Sequence, residues 1–345
     1  MPCLALLLTL AATTPAGAHR APPALSTSLK TLAGAKDQAT GVSCPAHGSC
    51  IAVDFTGDLY MLSGNRGALL ASTGFDLFAV SCPTTTFCAA VGTDGAVVFL
   101  PTRTWTYPLF IRQPLDEVHW QSISCPSQSF CMAGGGIFSG PNAGAGVVAQ
   151  WNGLVWTPLK VIDPDVPSQA KNQISTMSCS GPKFCVAGDG NGRTLQWDGT
   201  KWFFPRLLNL PDIVDSFAVS CSSSSFCVAL GADSSEVVMW NGTKWRYHSG
   251  PSFVDGYGVV SCPSSKYCVA VSEDGEASSW SGRAWSRVQK VDPTSDDFFN
   301  GISCSPAGFC EAVTSEDHFV YLHDRGRTPK LPVLCARFAC EGTRL

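Results

Sequence analysis

The stretch VSCSSSSFCVAL, residues 219–230, places two cysteines six positions apart around a run of serines. Its flanks are apolar and strand-like, and serines are common in turns, so the pattern predicts a short hairpin. Side chains that face each other in a hairpin have Cβ atoms about 4.5 to 5.5 Å apart, close to what a disulfide requires. We therefore predict that Cys221 and Cys227 form a disulfide that closes this hairpin.

The same pattern occurs seven times. The copies are VSCPAHGSCIAV (42–53), VSCPTTTFCAAV (80–91), ISCPSQSFCMAG (123–134), MSCSGPKFCVAG (177–188), VSCSSSSFCVAL (219–230), VSCPSSKYCVAV (260–271) and ISCSPAGFCEAV (302–313). By the same argument we expect six further hairpin disulfides and one more in the tail. These are Cys44–Cys50, Cys82–Cys88, Cys125–Cys131, Cys179–Cys185, Cys262–Cys268, Cys304–Cys310 and, in the tail, Cys335–Cys340.

Each repeat continues in the same order after its second cysteine. A turn rich in Gly and Asp is followed by an apolar strand, a tight turn and a last strand. In four repeats the tight turn reads WNGLVW (151–156), WDGTKW (197–202), WNGTKW (240–245) and WSGRAW (280–285). Four short strands in about 40 residues are typical of one blade of a β-propeller. Two insertions in the third repeat, residues 134–146 and 161–173, are predicted to be loops that give specificity.

These repeats resemble those of secreted, cysteine-rich, seven-bladed β-propellers of high-GC bacteria, and the W-[DNS]-G-x-x-W turn more distantly resembles the Asp-box turn of sialidase-like propellers. The resemblance covers residues 37 to about 330. It implies an all-β fold, a seven-bladed β-propeller of four-stranded blades with one hairpin disulfide each. We expect a single domain over residues 19–345, with a Cys-containing tail at 331–345 and blades that begin near residues 37, 76, 117, 173, 214, 255 and 297.

Two segments could close the ring of blades. Residues 24–33, ALSTSLKTLA, could be the last strand of the last blade, and the tail CARFAC, residues 335–340, could lie across the end of the ring. The sequence leaves both possibilities open.

The cysteines and the first residues indicate export. Seventeen cysteines in paired spacing are typical of an oxidising compartment. Residues 3–12 form a short apolar region, and small residues at 16–18 offer a cleavage site. We therefore predict a signal peptide at residues 1–18 and a secreted, extracellular protein. No later stretch reaches the roughly 20 apolar residues of a membrane helix.

The charges are nearly balanced but unevenly distributed. Lys+Arg number 23 and Asp+Glu 27, which gives no general attraction for nucleic acid or acidic membranes. When the loops are sorted by strand order, all carboxylates except Asp198, Glu311, Asp324 and Glu341 belong to the face opposite the cysteine hairpins. The candidate ligand-binding residues of this face are Asp76, Asp116, Glu117, Asp215, Asp255, Asp296 and Asp297. Alternatively, these residues are there because Asp is a good turn former.

The sequence favours a binding module over an enzyme. A sialidase needs an arginine cluster, a nucleophile pair and an acid/base Asp, but the arginines assigned to the acidic face are chiefly Arg112 and Arg193. We therefore expect a non-catalytic, monomeric interaction module with no cofactor that binds a protein or carbohydrate at or outside the cell surface. Calcium at Asp189, in AGDGNG (187–192), and sugar stacking on the paired Trp are alternatives. A carbohydrate-active enzyme of sialidase-like architecture, or a lectin-like propeller, also stays open.

Overall fold

A computed structural model of the protein describes residues 25–33, 37–63, 66–93, 97–99, 117–163, 172–204, 217–231, 236–253, 258–293, 298–316 and 318–324. All named elements within these ranges are β-strands. In this part of the chain no helix is long and apolar enough to cross a bilayer. The predicted signal peptide and the pair Cys335–Cys340 lie outside the described residues.

The strands form seven blades around a central channel. The N-terminal strand is β1 (Leu25–Ala33). The first three blades contain β2 (Ala39–Ala46), β3 (Ser49–Asp54), β4 (Asp58–Ser63) and β5 (Arg66–Ser72); β6 (Leu77–Thr84), β7 (Phe87–Gly92) and β8 (Val97–Phe99); and β9 (Val118–Ser127), β10 (Phe130–Ile137), β11 (Gly146–Trp151) and β12 (Lys160–Asp163). The fourth and fifth contain β13 (Ile174–Gly181), β14 (Phe184–Asp189), β15 (Thr194–Trp197) and β16 (Trp202–Phe203); and β17 (Phe217–Ser223), β18 (Phe226–Gly231), β19 (Glu236–Trp240) and β20 (Trp245–Ser249). The last two contain β21 (Gly258–Ser264), β22 (Tyr267–Ser272), β23 (Glu276–Trp280) and β24 (Gln289–Lys290); and β25 (Phe299–Cys304), β26 (Phe309–Thr314) and β27 (His318–Asp324).

Each blade is an antiparallel meander whose first hairpin is closed by a disulfide. The seven predicted hairpin disulfides are all present, with Cα atoms 4.0 to 4.1 Å apart. In the fifth blade, Cys221 and Cys227 face each other directly in the ladder between β17 and β18. The prediction from cysteine spacing is therefore confirmed, because the register brings the paired residues opposite each other.

The ring is closed by the N-terminal strand. β1 pairs antiparallel with β27, from Leu25 opposite Asp324 to Thr31 opposite His318, and so supplies the fourth strand of the seventh blade. The end of β1 then reaches the first blade, where Leu32 pairs with Gly67 of β5. Of the two segments that could close the ring, the N-terminal one does so through its described residues 25–33, while the tail lies outside the described residues.

The serine before each leading cysteine links consecutive blades. In every blade its Oγ accepts a hydrogen bond, 2.8 to 2.9 Å long, from the backbone N–H of the next blade's leading cysteine. The seventh bond runs from Cys44 N–H to Ser303 Oγ and returns to the first blade. In each Ser-Cys pair the serine therefore links neighbouring blades around the channel, and the cysteine forms the disulfide within its own blade.

The core lies between the blades. Seven clusters of buried apolar side chains each combine residues of two neighbouring blades. The Gly-rich insertion at 134–146 was predicted to be a loop, but its first residues, Gly134 to Ile137, extend β10. Glycine is needed there because a Cβ on Gly134 would lie 2.6 Å from Ile174 Cγ2 of the next blade. The second insertion likewise begins inside β12.

Candidate functional site on the open face

The two ends of the ring differ in what they expose. We call the end with the cysteine hairpins and the Trp turns the clasp face. The opposite end, where the first strand of each blade begins and the second ends, is the open face. Of the loops that the sequence assigned to the ligand side, the described residues, such as Asp54, Asp76 and Glu117, lie on the open face.

First strands of all seven blades line a cavity of about 350 Å³ that opens on the open face. The level next to the serines is apolar and consists of Val42, Val80, Ile123, Met177, Val219, Val260 and Ile302. The outer level carries polar groups, including Thr40, Gln121, Ser175 and Asn300. None of the described residues that line the cavity is charged, so any charge at this site lies on the surrounding loops.

An arc of aromatic side chains, Phe55, Phe78, His119 and Phe138, runs along the open face of the first three blades. Ring centroids are 5.6 Å apart for Phe55 and Phe78, and 6.1 Å for Phe78 and His119. His119 stacks on Phe138 at 4.1 Å. Phe78 also lines the cavity, while Phe55 and Phe138 are 38% and 41% exposed. We call this group the aromatic arc; the chain has brought exposed rings together where a ligand entering the cavity would meet them.

Two of the predicted ligand-binding carboxylates lie among the described residues. Asp76 and Glu117 are both exposed on the open face beside the aromatic arc. Glu117 Oε1 lies 3.1 Å from His119 Nε2, and so links the acidic and aromatic groups. The other candidates, Asp116, Asp215, Asp255, Asp296 and Asp297, lie outside the described residues, and their role stays a prediction.

Other carboxylates of the open face are buried and stabilise turns. Asp54 is fully buried; its Oδ1 accepts the N–H groups of Thr56 and Asp58, and its Oδ2 accepts the Tyr60 hydroxyl. Asp189 has the same position in the fourth blade and accepts the N–H groups of Asn191 and Arg193. Such carboxylates organise the loops, but contribute little negative charge to the surface.

Arg193 lies at the centre of a polar network between the third and fourth blades. Its guanidinium contacts Asp189 Oδ2 and Asp163 Oδ2, both at 2.6 Å, and donates to Asn172 Oδ1 at 2.7 Å. Burial and the nearby Asp189 raise the pKa of Asp163 to about 7, although Arg193 opposes the shift. The network ties the end of β12 to the fourth blade.

This network argues against catalysis and calcium binding at Asp189. Paired carboxylates with a raised pKa occur in glycoside hydrolases, but here both side chains are buried and face the guanidinium. A guanidinium also lies where Ca²⁺ would have to approach. Within the described ranges no group of three or more His, Cys, Asp or Glu could hold a metal ion.

The paired Trp act in packing. The first Trp of each turn donates its indole N–H to a carbonyl in the cysteine hairpin of the same blade, as Trp240 does to Ser224 at 2.9 Å. The two rings of each turn lie 5.8 to 5.9 Å apart, and Trp151, Trp240 and Trp280 are buried. The three buried rings are therefore not available for stacking on a sugar.

The aromatic arc could not be found from the sequence pattern. Phe55 and Phe138 follow second strands, whereas Phe78 and His119 stand at the second residue of first strands. Because these positions differ between repeats, no periodic signal marks them. One hint existed, since Phe138 belongs to the insertion predicted to give specificity.

Comparisons with known proteins support the architecture. No family model and no curated protein matches the chain. Among solved structures, it is similar to the crystal structure of the WD40 β-propeller domain of Doa1, with a TM-score of 0.64 and 12% identity over 89% of this chain and 98% of that one. The chain is a seven-bladed β-propeller. At this identity the likeness shows the fold alone, and it gives no support to the sialidase resemblance.

Proposed function

We propose that this β-propeller is an exported, monomeric and non-catalytic binding module, and that its open face captures a protein segment with both apolar and basic side chains. The observation that carries the proposal is the aromatic arc at the mouth of an uncharged cavity. Contiguous exposed aromatic side chains are enriched at protein interfaces and carry much of their binding energy. Export is supported by the seven disulfides, which indicate an oxidising compartment.

The carboxylates around the arc supply the expected preference for basic partners. Asp76 and Glu117 are exposed beside it, and Asp116, Asp296 and Asp297 belong to neighbouring loops in the sequence. A surface of one sign of charge increases the rate of association with the opposite charge, and the effect weakens with salt. The aromatic rings would then supply affinity, and the carboxylates selectivity.

The test is selection from a displayed peptide library on the oxidised protein. We expect enriched peptides to combine aromatic or aliphatic residues with Lys or Arg, and to bind less tightly as salt rises. Phe138→Ala and Phe55→Ala should each weaken binding by about tenfold or more. Leu69→Ala, an exposed apolar residue on β5 of the outer rim, is the matched control and should bind as the unaltered protein does. Equal affinity of all three variants would rule out the arc as the binding surface.

A carbohydrate ligand is the second candidate, as a lectin-like module or a sialidase-like enzyme. The observation in its favour is that exposed aromatic rings also stack on sugars, with the Gln121 and Asn300 amides nearby at the cavity mouth. A glycan array with the same variants distinguishes it from a peptide ligand. Turnover of any bound glycan would require an accessible acid; Asp163 and Asp189 are both buried, and the exposed carboxylates of this face among the described residues include Asp76 and Glu117.

A further inference from the structure

The four Trp turns of the clasp face share one backbone conformation. Their glycines, Gly153, Gly199, Gly242 and Gly282, have φ of 94°, 95°, 91° and 87°, a region that favours glycine. In three of them the residue before glycine fixes the turn. For example, Asn152 Oδ1 accepts the N–H groups of both Leu154 and Val155. Consecutive blades therefore project the two residues after each glycine in the same way.

The side chains at these two positions differ from blade to blade. In the third blade they are Leu154 and Val155, which are 83% and 59% exposed, and Leu154 is the most exposed of the large apolar side chains described. In the next three blades the same turns carry exposed cations, Lys201, Lys244 and Arg283. The turn of the third blade therefore exposes apolar side chains, and the turns of the next three blades expose basic ones.

The cysteine hairpins add two more cations to the same surface. Lys183 and Lys266 are exposed at the tips of their hairpins. Each is held against the Trp turn of its own blade, because a Cβ on Gly199 or Gly282 would lie 3.2 Å from the lysine Cα. The ion pairs seen at Glu117, Asp163 and Asp189 involve His119 and Arg193 and none of these five cations. We call Lys183, Lys201, Lys244, Lys266 and Arg283 the basic crescent.

The five cations lie at the same end of the ring. Lys201, Lys244 and Arg283 belong to equivalent turns of three consecutive blades, and Lys183 and Lys266 lie against two of these turns. The one carboxylate described in these turns, Asp198, accepts the N–H groups of Thr200 and Lys201 and stays charged, so it offsets part of the charge of Lys201. The serine hydrogen bonds link the seven cysteine hairpins around this end of the ring.

We propose that the clasp face docks on an anionic lipid surface, with the basic crescent over the headgroups and Leu154 and Val155 inserted between them. Reversible membrane binding requires two signals, electrostatic attraction and buried apolar area. The clasp face carries both on adjacent, equivalent turns. A soluble polyanion would contact only the cations, and its binding would not account for the exposed apolar side chain of Leu154. Docking would leave the open face directed away from the membrane, so this inference is independent of the partner proposed for that face.

The experiment is co-sedimentation of the oxidised protein with vesicles of phosphatidylcholine alone or mixed with phosphatidylglycerol. We expect binding only to the anionic vesicles, and weaker binding as salt rises. Lys201→Gln and Lys244→Gln should each lower the partition coefficient about fivefold, and Leu154→Asp about tenfold or more. Brominated lipid should quench tryptophan fluorescence, because Trp151 and Trp156 flank the inserted turn.

Two variants away from the clasp face serve as matched controls. Lys160→Gln removes an exposed cation of β12, and Leu69→Asp changes an exposed leucine of β5. Both should bind vesicles as the unaltered protein does, with unchanged melting temperatures for all variants. Binding to heparin or polyglutamate without binding to vesicles would replace the proposal with a soluble polyanion site. Vesicle binding that Leu154→Asp and the lysine variants leave intact would overturn it.

Discussion

The interfaces between the blades and the interface that closes the ring are built from the same strands but with different side chains. In six blades the residue after the second cysteine is a buried apolar one; these are Ile51, Ala89, Met132, Val186, Val228 and Val269. In the seventh blade this position is Glu311, which is 1% exposed. It lies on β26 between Phe309 and Val313, two residues whose side chains pack against the first blade.

The closing interface also differs at the positions where the middle blades carry Trp. It has leucines there, and a polar contact lies nearby. Leu62 and Leu322 stand opposite the second cysteine of the first and seventh blades, where the middle blades have Trp. His47, at the hairpin tip of the first blade, lies 3.2 Å from the Tyr321 hydroxyl and packs edge-on against Phe309. The comparison teaches that the regular interfaces are optimised for apolar contact, whereas the closing interface holds a buried acid.

The largest expected effect comes from removing the strand that closes the ring. A chain that begins at Asp37 lacks β1, and with it the burial of Leu25 and Leu32 in two inter-blade clusters. These two side chains alone should account for roughly 3 to 6 kcal/mol of the free energy of unfolding. Thermal melting of this chain, compared with one that begins at Leu25, measures the effect. A synthetic peptide of residues 25–33 should restore part of the loss, and equal melting temperatures without it would contradict the assignment.

The second prediction concerns Glu311. Burial raises the pKa of its carboxyl from 4.5 to about 8, and Glu311 Oε2 has no hydrogen-bond partner among the described residues. The stability associated with the protonated form is complete below pH 4.5 and is lost as pH rises towards 8. Glu311→Gln should therefore leave stability at pH 4 almost unchanged, and raise the free energy of unfolding at pH 7 by on the order of 3 kcal/mol. Urea unfolding with the disulfides intact, followed across this range, is the measurement.

The reciprocal change tests whether the effect belongs to the carboxyl or to the closing interface. Val269→Glu places an acid at the equivalent position of a regular interface, and should introduce a similar loss of stability with rising pH. The groups near Glu311 that could also titrate are Tyr321, His47 and His323, so Tyr321→Phe serves as a further control. If Glu311→Gln retains the pH dependence, one of these neighbours is its origin.

The smallest effect is expected in the ring of serines. Ser220→Ala removes the acceptor of the Cys262 N–H and should cost about 1 kcal/mol, because a partly buried donor loses its partner. Ser303→Ala makes the same change at the closing interface, where Cys44 N–H is the donor. Equal losses in denaturant unfolding would show that the hydrogen-bonded ring is uniform. A much larger loss for Ser303→Ala would show that closure depends on it.

Much of the fold could be predicted because it is encoded locally. Two cysteines six residues apart can face each other within one hairpin, and the glycine of each Trp turn provides the positive φ that the turn needs. The exceptional Glu311 was also visible in ISCSPAGFCEAV, where the other copies have an apolar residue. The effect of Glu311 on stability could not be predicted from the sequence. The free-energy cost of burying a carboxyl depends on how much water and how many hydrogen-bond partners the folded structure leaves around it.

The candidate sites were harder to predict. Strand order assigns loops to a face, but it does not tell an exposed carboxylate such as Asp76 from a buried one such as Asp54. The aromatic arc joins residues of three blades, and the basic crescent joins three others. Neither group is contiguous in the sequence, so each exists only once the blades are packed side by side.

The sequence by itself determined the repeated hairpin, its disulfide and the glycine turns, since each depends on residues close together in the chain. Only the tertiary structure decided that the first strand closes the last blade, which carboxylates remain in water, and which side chains share a surface. These outcomes depend on contacts between residues far apart in the chain, whose burial and spacing are set when the ring closes.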